Sequence, residues 1–171
     1  MVKKQENKKT KNQRIILGID PGYGLTGYGV IKVQGSKFEC LDYGVIKTHA
    51  GEEFSQRLKD LHEDLTKIIK KYNPCLVAIE DLFFAKNVKT AMKVGHARGV
   101  IMLTAIQAGK KIVEFTPLQV KQAITSYGRA EKGQVQQMVK MFLNLKEIPR
   151  PDDAADALAV AICAANSVHV S

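Results

Sequence analysis

Four acids in this 171-residue chain stand where a carboxylate is hard to accommodate without a partner. Asp20 ends the otherwise apolar run RIILGID (14–20), and Glu80 falls near the end of a second such run, CLVAIED (75–81). Adjacent strands lie about 4.8 Å apart. Carboxylates at the ends of two such strands repel, and each raises the other's pKa until a cation neutralises them. Asp153 and Asp156 stand three residues apart in PDDAADALAVAICAA, so they share one helix face. The rest of that helix is small and apolar and must pack closely, so an acid on its buried side has to be paired or metal-bound. Oxygen donors without Cys or His partners select Mg²⁺ or Mn²⁺. Four carboxylates are enough to hold two such ions about 3.5–4 Å apart, the arrangement used for phosphoryl transfer. Two divalent ions would cancel the four negative charges and admit a phosphodiester.

Each acid also has a plain structural reading. An Asp before Pro21-Gly22 closes a turn, and an Asp in the first turn of a helix complements its dipole. Asp152, directly after Pro151, is expected to be an N-cap. What separates the functional reading from these is convergence, and convergence depends on the elements.

The run 14–20 reads as a buried strand, and 24–33 and 37–48 follow it across short Gly-containing turns, which makes an antiparallel meander. Phe54, Leu58, Leu61, Leu65, Ile68, Ile69 and Tyr72 then recur every three or four residues, one face of a helix that stops near Asn73-Pro74. A strand at 75–81, a helix at 88–109, a strand at 111–115 and helices at about 117–126, 132–145 and 152–168 complete the chain. A meander followed by βαβ crossovers predicts an α/β fold, a mixed five-stranded sheet with helices on both faces. Right-handed crossovers place the strand ending at Asp20 parallel to, and beside, the strand ending at Glu80. The glycine-rich stretch DPGYGLTGYG joins two strands and fits no nucleotide-binding pattern. Its glycines are expected to make a tight turn and to let a DNA backbone approach.

The chain carries 26 Lys plus Arg against 17 Asp plus Glu, and hydrophobic residues make up 45%, which excludes a wholly disordered or fibrous class. The net charge of +9 points to a polyanionic partner. Residues 1–13 hold five basic residues and one acid, and they read as a disordered basic tail before a single domain at 14–171. The three cysteines are widely spaced in apolar contexts, fit no disulfide framework or zinc site, and read as buried hydrophobes. No apolar run is long enough for a membrane span, and no apolar segment follows the basic N-terminus, so a cytoplasmic protein is expected.

The blocks GIDPGYGLTGYGVI, AIEDLFFAKN, GHARGV, PLQVKQAI, AEKGQVQQMV and DDAADALAVAI, in that order, resemble the RuvC family of bacterial crossover-junction endodeoxyribonucleases. The resemblance spans roughly residues 15–165. It implies an RNase H-like fold and a homodimer. Its activity would be the resolution of four-way (Holliday) junction DNA by paired, symmetric nicks that leave 5′-phosphate and 3′-hydroxyl ends. It also implies a RuvA–RuvB branch-migration partner and a bacterial cytoplasmic location. Carried over by position, the family's acidic tetrad falls on Asp20, Glu80, Asp153 and Asp156, which would hold two Mg²⁺ per subunit, with Mn²⁺ as a substitute. On this reading Asp20 bridges both ions, Glu80 holds one, and Asp153 with Asp156 holds the other.

The resemblance also assigns DNA contacts. Phe83 would probe unpaired bases at the junction, with Lys86 beside it on the backbone, and Lys121 and Lys132 would contact phosphates near the cut. Arg98 and Lys89 are further backbone candidates, and His96 reads as structural or dimer-facing. Three other readings compete: an RNase H-like ribonuclease of the YqgF type, a catalytically idle junction-binding protein, and an actin-like ATPase. The FFAKN and AEKGQVQ blocks oppose the first, the intact tetrad the second, and the chain length the third.

Overall fold

The computed structural model describes residues 13–81 and 88–168. Ten elements follow one another: β1 (Gln13–Asp20), β2 (Leu25–Gln34), β3 (Lys37–Lys47), α1 (Phe54–Tyr72), β4 (Leu76–Glu80), α2 (Val88–Gln107), β5 (Lys111–Phe115), α3 (Pro117–Thr125), α4 (Lys132–Phe142) and α5 (Asp152–Ser167). The five strands form one sheet in the order β3-β2-β1-β4-β5. β1 runs antiparallel to β2, and β2 to β3, whereas β4 is parallel to both β1 and β5. This is the expected mixed sheet. β1 starts one residue earlier than expected, at Gln13, and the rest of the expected basic tail, 1–12, lies outside the described residues.

Side chains alternate across a strand, and that alternation decides which face each residue serves. On β1, Leu17 and Ile19 join Val77 and Ile79 of β4 in a core with Leu61, Leu65 and Ile69 of α1 and Ala97, Ile101 and Ala105 of α2. Ile16 of β1, with Leu76 and Ala78 of β4, joins the opposite core with Val120 of α3, Val139 of α4 and Leu158 and Ile162 of α5. Asp20 and Glu80 continue the second series, two residues beyond Gly18 and Ala78. Both therefore emerge on the α5 side of the sheet. A register slip of one residue would send each to the other face.

α5 lies across β1 and β2 at a distance that only glycine permits. A Cβ on Gly18 would stand 2.1 Å from the carbonyl oxygen of Ala157, and one on Gly27 would stand 2.0 Å from that of Asp153. Gly29 likewise faces Leu158. These glycines meet the helix, not a DNA backbone, which corrects the sequence reading for Gly27 and Gly29. Gly22 does make the expected tight turn, since a Cβ there would meet the Leu25 carbonyl at 2.0 Å. Of the cysteines only Cys163 is buried. Cys40 is half-buried and Cys75 is exposed, because Cys75 lies just before β4 and not within it.

Candidate active site

The parallel pairing of β1 with β4 sets Ile19 opposite Ile79, so the next residue on each strand, Asp20 and Glu80, are neighbours at the same sheet end. α5 begins over this end. Its first turn carries Asp153, and the next turn carries Asp156. All four carboxylates are half-buried, and the negative charge of the other three acts on Asp20.

Burial is the largest cause of the Asp20 shift, followed by the charges of Glu80, Asp156 and Asp153, and together they push its carboxyl up to about 8. Burial and then Asp156 push Glu80 up to about 7, against a hydrogen bond shared with Asp20 and the charges of Lys132 and Lys121. Burial also raises Asp156, although Lys132 opposes it. Lys132 Nζ stands 2.9 Å from Asp156 and 3.4 Å from Asp152.

Asp152 takes a different part from the one expected. The N-cap of α5 is Pro151, without a side-chain cap, because Asp152 already has helical backbone. Its carboxylate turns instead to Lys132 and Arg150. The amide of Gln136, then Lys132 and Arg150, hold it below the usual carboxylate range.

Glu80 and Asp156 open into a cavity of about 190 Å³ whose other walls include Lys121, Lys132, Val120 and Val135. Lys121 comes from α3 and Lys132 from the first position of α4. The α3 start is fixed by Thr116, whose hydroxyl accepts from the Gln119 N–H while the Gln119 side chain accepts from the Thr116 N–H. Lys121 thus lines the cavity from a helix with a fixed start, and Lys132 reaches Asp156 directly. Phe83 and Lys86 lie outside the described residues.

The donor set fits a hard divalent cation. It is all oxygen, and three of its members are held above their ordinary pKa by burial and mutual repulsion, strain that a positive ion relieves. Among the described residues no three His, Cys, Asp or Glu side chains already form a cation cage. Asp20 is bonded to Glu80, and Asp156 to Lys132, so a cation has to compete with two internal contacts.

Sequence reasoning missed the residues that hold the loop after Asp20. Arg57 is only 8% exposed and donates from Nη2 to the Tyr23 carbonyl at 3.0 Å and from Nε to the Thr48 hydroxyl at 3.0 Å. The Thr48 hydroxyl donates to the same Tyr23 carbonyl at 2.8 Å, and the Thr26 hydroxyl to Gly22 at 2.5 Å. The available signal is periodic: Arg57, Leu61, Leu65 and Ile69 form one i+4 row, and Arg57 occupies its first buried turn. Arg98, a candidate DNA contact, instead pairs with Asp81 at 3.1 Å and with Glu114. His96 donates from Nδ1 to the Met92 carbonyl at 2.7 Å and packs edge-on against Phe54, consistent with a structural role.

Residues 16–164 match the family described as crossover junction endodeoxyribonuclease RuvC. A protein of that description from Ruminiclostridium cellulolyticum is 60% identical over 153 residues, covering 90% of this chain and 92% of its own. One from Halothermothrix orenii is 57% identical over 157 residues, covering 92% and 95%. The structure of Thermus thermophilus RuvC in complex with a Holliday junction substrate superposes with a TM-score of 0.86 at 38% identity, covering 89% of this chain and 93% of that one.

Proposed function

Because the chain belongs to the RuvC family of crossover-junction endodeoxyribonucleases, we propose that it resolves four-way DNA junctions by hydrolysing phosphodiesters in symmetrically placed strands. The observation that carries this reading is the convergence of Asp20, Glu80, Asp153 and Asp156 at one sheet end, with Lys121 and Lys132 on the wall of the cavity that Glu80 and Asp156 line. A divalent cation is the family's cofactor; Mg²⁺, two per subunit, is the specific assignment that four carboxylates support. When bound, the metal supplies an activated water and stabilises the leaving 3′ oxygen. The chain's own residues do the rest. Asp20 and Glu80 give up the proton they share, Asp153 and Asp156 complete the oxygen set, and the two lysines hold the phosphate at the mouth of the cavity. The products are a 5′ phosphate and a 3′ hydroxyl.

Paired cutting needs two sites, and α2 supports a second copy as the partner. Val88, Met92, Leu103 and Ile106 are 71%, 61%, 56% and 60% exposed along it. Gly95 and Gly99 lie between them with nothing against them. Their spacing makes one helical stripe, an apolar strip of the kind that marks an interface. Among the described residues no helix is long and apolar enough to cross a membrane. A cytoplasmic location, a single domain over 14–171 and cooperation with RuvA–RuvB complete the proposal.

The test is incubation with a labelled four-way junction and a matching linear duplex, with Mg²⁺ and with EDTA. The expected result is ligatable, paired nicks in the junction alone, lost in EDTA. Junction binding without cutting supports the idle-scaffold reading instead, and cutting of RNA hybrids the ribonuclease reading.

A further inference from the structure

We infer that the groove between α3 and α4 receives a nucleobase of the DNA strand being cut and so sets part of the sequence preference of cleavage; this rests on the junction-cleaving reading above. The groove is lined by Thr125, Tyr127, Ala130, Gly133, Gln137 and Met138, with the stem of Gln134 beside them. It is open and largely apolar, and Tyr127 stands at it 59% exposed.

Its place in the fold connects it to the cleavage site. Lys132 and Val135 of α4 face the catalytic cavity, while Gly133, Gln137 and Met138 of the same helix face the groove. One helix is thus the shared wall. An α-helix with its side chains is about 10–12 Å across. A DNA strand advances about 3.4 Å per nucleotide along a duplex. A base in the groove is therefore roughly three nucleotides from the phosphate held by Lys132.

The charge of the segment that carries the groove suits a nucleic acid. From 117 to 142 the chain has four cations, Lys121, Arg129, Lys132 and Lys140, against one acid, Glu131, a net +3 for the two helices and their turn. An exposed aromatic ring on a segment of net positive charge is a stacking platform for a base whose phosphates that charge attracts. Gln137 adds an amide that both donates and accepts, which suits a base edge.

Tyr127 is also held in place before any ligand arrives. The Thr125 hydroxyl donates to a carbonyl of Lys121 or Tyr127, at 2.8 and 2.9 Å, and accepts from the Tyr127 N–H at 3.2 Å. Gly128, next to it, is the close-packed position of the turn: a Cβ there would stand 2.5 Å from Leu118. These bonds fix the Tyr127 backbone, so the exposed ring projects from a defined point at the groove.

The experiment uses the full-length protein, Mg²⁺, and junctions carrying a single abasic nucleotide stepped through each position near the nick. For wild type, one position about three nucleotides from the cut is expected to lose about fivefold or more in cleavage rate when abasic. Tyr127→Ala is expected to lose a similar factor on the intact junction and nothing further at that position. Tyr127→Phe keeps the wild-type abasic profile, and Gln137→Ala on the facing wall changes base preference at the same position only. An unchanged abasic penalty in Tyr127→Ala overturns the inference, as does a loss equal at all positions. A Tyr127→Ala protein that keeps the wild-type profile but loses stimulation by another protein assigns the groove to that partner and also overturns it. Absence of junction cleavage by wild type sinks the parent reading itself, a result distinct from all of these.

Discussion

On one face of the sheet α1 and α2 pack through Leu61, Leu65, Ile69 and Ile101, side chains that hold the helices a full layer away. On the other, α5 packs through Ala157 and Ala161 onto Gly18, and through Asp153 backbone onto Gly27, with no room for a methyl group. The first arrangement buries hydrophobic area. The second buries less per residue and brings a helix terminus, with its acids, down to the strand ends. The difference teaches that the small residues of α5, β1 and β2 are the scaffold of the site. They trade side-chain burial for proximity among four carboxylates.

The strongest test of that contrast removes one acid and keeps the scaffold. Asp20→Asn should lower cleavage about a thousandfold or more, since metal-ion catalysis contributes several kcal/mol and each 1.36 kcal/mol is about tenfold. The measurement is single-turnover cleavage of a junction, with binding by gel shift as the control. Binding should survive, because lysines and not Asp20 hold the backbone. Persistent cutting would show that the acids on the glycine side are structural after all.

The second test exchanges the packing modes. Gly27→Val puts a branched side chain where a single Cβ already meets the Asp153 carbonyl at 2.0 Å. Backbone must move, and a displacement near 1 Å at a catalytic group costs about a hundredfold in rate. Leu61→Ala on the other face should cost about 2–5 kcal/mol of stability, and leave the cleavage rate of the folded fraction within about twofold of wild type. Urea denaturation and single-turnover kinetics on both variants separate the two effects. Equal rate losses would mean that the faces are not distinct in function.

The placement of elements was legible because it rests on local pattern. The i+4 row of α1, the Asn73-Pro74 stop and the apolar runs of β1 and β4 each state their own secondary structure. The strand ends at Asp20 and Glu80 follow from them, and so does the convergence of the acids. What lay hidden was pairing at long range. Nothing adjacent in sequence says that Gly27 faces a helix about 130 residues later, so from sequence alone the glycine reads as a concession to DNA. Asp152 was misread for the opposite reason. A local rule favours an acid as cap, but Lys132 and Arg150, which arrive from elsewhere in the fold or the loop before it, offer better partners.

A third prediction concerns pH. Without metal, Asp20 in the folded chain keeps its proton up to about 8, whereas the ordinary value is 3.8. Glu80 keeps its own to about 7, against 4.5. Between those limits the folded state binds more protons than the unfolded state, so stability is greatest at the acid end and falls as pH rises. The Tm of EDTA-treated protein should therefore decline from pH 5 to pH 8. Mg²⁺ should raise Tm more at pH 8 than at pH 6, because it displaces those protons on binding. In Asp20→Asn the part of the slope above about pH 7 should vanish while the Glu80 part below it remains, and Leu61→Ala should keep both. A metal-free Tm that rises over this range would contradict the crowded-carboxylate account.

The smallest effect is expected where the two faces meet. Arg57 belongs to the leucine row of α1, yet its guanidinium crosses to the loop that follows Asp20 and bonds the Tyr23 carbonyl. It also stacks on the Tyr23 ring, 5.2 Å from its centroid. Arg57→Met preserves most of the buried stem and removes the bonds. Thr48 still donates to Tyr23, so the loop loses one of two anchors. Each such bond is worth about 0.5–1.5 kcal/mol, or up to about 3 when charged, which predicts a loss in cleavage of roughly tenfold. The loss should appear in the single-turnover rate with junction affinity kept, because the loop adjoins Asp20 and not the phosphate-binding lysines. Thr48→Val together with Arg57→Met should then lose more than either alone, since both act on one carbonyl. If Arg57→Met lowers only Tm, the leucine face ends at Arg57 and the site is built from the glycine side alone.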